Sequence, residues 1–96
     1  MYKYGIAVYS NEGALTETVG TNFISTNTFI KSVKCLEEIE GEKNISVIFD
    51  KLAEVVSLAI PSLNKETILN CCDVSDCLAL VKTIVNKSRE FENSKN

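Results

Sequence analysis

Asn44-Ile45-Ser46-Val47-Ile48-Phe49-Asp50-Lys51-Leu52-Ala53-Glu54-Val55-Val56-Ser57-Leu58-Ala59-Ile60-Pro61-Ser62-Leu63 contains the longest strongly apolar stretch of the chain. Ile48, Leu52, Val55, Val56, Ala59 and Leu63 recur at helical spacing, which lays them along one face of a helix. Asn44 or Ser46 suits the cap at its start. Pro61 ends it, because a proline disfavours helical backbone at the residue before it. Val47, Phe49, Leu58 and Ile60 lie off the main stripe. A helix apolar around so much of its surface is either the centre of a small bundle or carries a second face for another molecule. Those four residues are therefore the candidate partner contacts. Glu54, Ser57 and Pro61 interrupt the run, which is too short to span a membrane.

Upstream, Phe29, Ile30, Val33, Leu36 and Ile39 predict a helix opened by Asn27 or Thr28 and closed by Gly41. The link before it, Thr21 to Asn27, is polar, with Phe23 and Ile24 as expected anchors. Further back, Tyr4, Ile6 and Val8 alternate with Gly5, Ala7 and Tyr9, and Leu15 to Val19 alternates again across the turn cluster Ser10-Asn11-Glu12-Gly13. This is the pattern of a hairpin over about residues 3–20. Downstream, Asn64 opens a short helix through Ile68, Leu69 and Cys72. Asp73 or Ser75 then caps a last helix carrying Val74, Cys77, Leu78, Val81, Ile84 and Val85, with Phe91 closing it. The expected fold is mainly α: about four helices preceded by a short β-hairpin, one domain over residues 1–91, and a frayed polar tail over 92–96.

The chain has 96 residues, ten basic against thirteen acidic, no histidine and no tryptophan. That length holds one core. An acidic balance argues against a nucleic-acid partner, which calls for a basic stripe. Without histidine, most general-base, triad and zinc chemistries lose their usual residue. No secretory signal is visible, so a cytoplasmic location is expected. Cys35, Cys71, Cys72 and Cys77 then read as reduced thiols that mostly pack in the core, with Cys71 the thiol expected at the surface. In the same compartment the glycosylation matches at Asn44 and Asn86 carry no weight. The acidic run from Glu37 to Glu42 reads as solvated charge, and the cluster Asn22, Ser25, Thr26, Asn27 and Thr28 as a capping loop. No catalytic, cofactor or metal site is expected, nor enzyme activity.

The order of these features resembles a family. A β-prone start precedes a Phe-Ile-x-x-Val-x-x-Leu-x-x-Ile helix (Phe29 to Ile39) and a long apolar helix (Val47 to Ile60). A polar-Lys-Glu start (Asn64, Lys65, Glu66), an Ile68-Leu69 pair and an Asp-Val-x-Asp turn (Asp73 to Asp76) then open the closing helix. Over roughly residues 15–90 this is similar to the small tail assembly chaperones of long-tailed bacteriophages and prophages of Gram-positive hosts. The resemblance implies a non-enzymatic helical domain that binds the tape-measure protein and helps recruit tail-tube subunits. It implies action in the host cytoplasm and absence from the mature virion. The family has no catalytic motif to carry over, so the contact set stays the one set by helix geometry. Self-association through the hairpin edge is a further expectation. The alternative reading is a small helical inhibitor, an immunity protein or an antitoxin-like regulator that binds one protein partner.

Overall fold

The computed structural model describes the backbone of residues 1–94 and the side chains of residues 1–86. Its elements are β1 (Tyr4–Tyr9), β2 (Leu15–Thr21), α1 (Thr26–Glu40), α2 (Ile45–Ala59), α3 (Lys65–Cys71) and α4 (Val74–Ser94). This is the mainly helical bundle with a leading antiparallel hairpin that the sequence patterns call for. Three residues of the expected tail, through Ser94, continue α4 as helix. The expected closure by Phe91, and Lys95 with Asn96, lie outside the described residues.

Helix α2 is central. It packs against α1, α3 and α4, and buries Leu52, Ala53, Val55, Val56 and Ala59. Each large aliphatic side chain buried this way contributes about 1.5–3 kcal/mol, against a backbone ordering cost of about 1–2 kcal/mol per residue. The core is therefore secured by being continuous across elements, with Ile6, Val8, Ile68, Leu80, Val81 and Ile84 closing around α2. Asn44 caps the helix, its side chain accepting from the Ser46 N–H at 3.0 Å. Beyond Pro61, the Ser57 hydroxyl donates to the Leu63 carbonyl at 3.1 Å, folding the linker back so that Leu63 enters the core.

The hairpin lies on α4 and α3 through β1. Ile6 and Val8 face inward, and β2 pairs in the register Ile6↔Val19 and Val8↔Glu17, with an irregularity that sets Tyr9 opposite Leu15. Thr16 takes up the extra position and donates its hydroxyl to the Val8 carbonyl at 2.9 Å. Asn22 closes the open end, its Oδ1 accepting from the Lys3 N–H at 2.8 Å.

Three local expectations are corrected. The cap of α1 is Ser25, extended at ψ 156° and accepting from the Thr28 N–H, rather than Asn27 or Thr28. The innermost line of α1 is Thr28, Ser32 and Cys35, flanked by Leu36 and Ile39. Phe29 and Val33 are only half-buried, and Ile30 is exposed. Small residues face inward where α1 meets α2 and α4, and the Ser32 hydroxyl satisfies itself on the Thr28 carbonyl at 2.7 Å. In α4, Leu80 belongs to the core, whereas Val74 sits exposed on the first turn.

Candidate functional site

The periodicity that turns Leu52, Val55, Val56 and Ala59 inward puts Val47, Lys51, Glu54 and Leu58 on one outer row of α2. Helix α1 runs antiparallel beside this row. A groove of about 250 Å³ lies between them, with Lys31, Lys34 and Glu38 on one bank and Lys51, Glu54 and Leu58 on the other. Leu58 is also a wall of a second depression of about 280 Å³, where it meets Phe23, Ala59 and Pro61. The two hollows thus form one trough with Leu58 as the ridge between them.

Phe23 is held at the rim by its own backbone. The Thr21 hydroxyl accepts from the Phe23 N–H at 3.2 Å and donates to its carbonyl at 3.1 Å. That clamp leaves the ring 74% exposed, so Phe23 is not the core anchor expected of it; Ile24, next to it, packs against the core. The expected contact residues divide. Leu58 is 41% exposed on the trough. Val47 is half-buried on the same row, in a shallow depression with Ser46 and Asp50. Phe49 leans against the core, facing a hollow of about 50 Å³ with Ile68, Cys72 and Cys77. Ile60, 1% exposed, is fully in the core and unreachable by a partner. Phe23, Pro61, Lys31 and Lys34 complete the trough and were not legible as its members. An aromatic inside a Thr/Asn/Ser-rich link was the one available sign of Phe23.

Among the described residues the ion pairs are Lys51–Glu38, at 3.6 Å across the groove, and Lys65–Asp50, at 2.6 Å between α3 and α2. Both are exposed and so contribute little to stability. Lys31, Lys34 and Glu54 therefore line the groove with unpaired charge.

The other candidate chemistry has structural uses. Burial pushes the Cys77 thiol up to about 11, and raises Cys35 and Cys72 as well. Thiols held neutral in this way are poor nucleophiles and poor metal ligands. Cys71 and Cys72 are half-buried against the core rather than presented at the surface. Glu42, from the acidic run, accepts from the Lys43 and Asn44 N–H groups at 3.1 Å each and shapes the α1–α2 turn. The hydroxyl and N–H of Ser75 hold the Asp73 carboxyl below its ordinary range, as suits the cap of α4. No helix among the described residues is long and apolar enough to cross a membrane. The chain matches no protein-family model, no curated protein and no solved structure.

Proposed function

We propose that this chain is a non-enzymatic tail assembly chaperone that holds amphipathic helical segments of a tape-measure protein in the α1–α2 trough. It releases them as tail-tube subunits assemble around that client. The observation that carries the reading is the apolar cluster of Phe23, Leu58 and Pro61, left open to solvent beside a helical groove. An amphipathic helix lays its apolar face into such a groove. Covering Phe23 and Leu58 supplies on the order of 2–4 kcal/mol. A micromolar complex needs about 8 kcal/mol after association costs. One trough on one segment is therefore weak and reversible. Tight holding then calls for copies that contact one another along the client, so that their sites act together.

The test is co-expression with the tape-measure protein of a long-tailed bacteriophage of a Gram-positive host. Native protein keeps the client soluble and co-purifies with it. Leu58→Ser and Phe23→Ser lose the client while keeping the native circular dichroism spectrum and a cooperative melt. A client equally insoluble with and without this chain rejects the chaperone reading in favour of an inhibitor, immunity protein or antitoxin-like regulator.

A further inference from the structure

We propose that the trough selects amphipathic helices by charge, taking a segment whose apolar anchor is flanked by carboxylates and seating its acidic end over Lys31 and Lys34. The inference rests on the trough being the client site and adds the chemistry of the client. The chain as a whole is acidic, at −3. The groove reverses that sign locally, with Lys31, Lys34 and Lys51 against Glu38 and Glu54. Lys51 is engaged by Glu38, which leaves Lys31 and Lys34 facing Glu54 alone.

The two free lysines stand one helical turn apart on α1, at the end of the groove that Leu58 closes. Leu58 separates them from the Phe23 and Pro61 hollow, so a bound side chain in that hollow has an ammonium group on the other side of one leucine. At the opposite end Glu38 is matched by Lys51, so the free charge of the groove is concentrated at the lysine end. A helix with acidic residues near its anchor meets opposite charge there. A helix with basic residues near its anchor meets like charge. Like-charge juxtaposition suppresses wrong partners more strongly than matched charge adds affinity. The trough thus sets client type through its basic end, which lies at the C-terminal end of α2.

The test uses the full chain and two labelled designed peptides of about five helical turns. Both carry the same leucine face. One has glutamates flanking it, the other lysines. Binding is read by fluorescence anisotropy at about 0.05 M and about 0.5 M salt. The glutamate peptide is expected to bind about tenfold more tightly at low salt, with the preference collapsing at high salt as exposed charges are screened. Lys31→Glu with Lys34→Glu is expected to invert the preference; both side chains are exposed, so the variant keeps its fold. Leu58→Ser is expected to weaken both peptides. Equal binding of the two peptides to native protein overturns the charge selection and leaves the trough as the client site. Failure of both peptides to bind at protein concentrations up to about 1 mM, where a contact of about 4 kcal/mol is read, or a Leu58→Ser variant that binds like native, removes the trough itself and both readings with it.

Discussion

A Cβ placed on Gly20 would stand 2.3 Å from the Tyr4 carbonyl oxygen and 2.7 Å from Cγ of Tyr2. The strands approach too closely there for any side chain, and the obstacle includes backbone. Gly20→Ala is expected to cost about 1–3 kcal/mol, the range for forced overpacking, read as a lowered melting temperature. Gly41 is the contrast. It caps α1 at φ −96°, a right-handed conformation open to any residue, with nothing within 4 Å of an added Cβ. Gly41→Ala is therefore expected to raise stability by about 0.4–1 kcal/mol by narrowing the unfolded ensemble. A second residue-scale effect belongs to Cys77. Burial lifts its thiol from 9.0 to about 11. The folded state keeps a proton that the unfolded state gives up, so this contribution is whole below pH 9 and is lost as pH rises through 11. The loss is on the order of 2–3 kcal/mol. The check is a difference between variants. Cys77→Val is expected to lose less stability between pH 8 and pH 11 than native, by urea melts at each pH.

At the scale of single elements, the caps decide where helices begin. Ser25, not Asn27, holds the first N–H groups of α1. Ser25→Ala is expected to cost about 1 kcal/mol, whereas Asn27→Ala is expected to stay within about 0.5 kcal/mol. Equal costs would place the start of α1 elsewhere. Cap residues were legible as a class, but Ser25, Asn27 and Thr28 all qualify by type. Only the extended backbone of Ser25 and its bond from the Thr28 N–H show which one lies outside the helix. The face of α1 was misjudged for a related reason. Periodicity ranks residues by hydrophobicity, and so favours Phe29 and Ile30 over Thr28 and Ser32. Packing between close helices ranks them by size, and admits the serine. The hairpin pattern was legible because alternation at period two is local. Its stability is not local, since a lone hairpin is marginal in water and this one rests on α4 and α3 through Ile6 and Val8.

Across the whole molecule, α2 satisfies both readings of its surplus apolar residues at once. It is the central helix, which explains Ile60 and most of Phe49. It also keeps an outer row, which explains Leu58 and Val47. The two classes separate by experiment. Ile60→Ala is expected to cost about 2–5 kcal/mol. Leu58→Ser is expected to cost about 1–2 kcal/mol, less than Ile60→Ala because over a third of the side chain is already in water, while weakening client binding. A Leu58→Ser variant that unfolds with Ile60→Ala would place Leu58 in the core and leave the trough without its ridge.

The sequence by itself determined the element order, the stop at Pro61, the cap at Asn64, and the apolar stripe Leu52, Val55, Val56 and Ala59. These follow from spacing and backbone preference within a few residues, which the chain carries locally. It did not determine which apolar residues are surplus. Phe23 and Leu58 are chemically as fit for burial as Ile24 and Ile60. The exposure of Phe23 follows from the Thr21 clamp, a local device that residue type does not reveal, and that of Leu58 from the way α1 lies along α2. Tertiary structure alone brought Lys31 and Lys34 to the bank opposite Leu58, because a groove belongs to the distance between two helices and to neither helix alone.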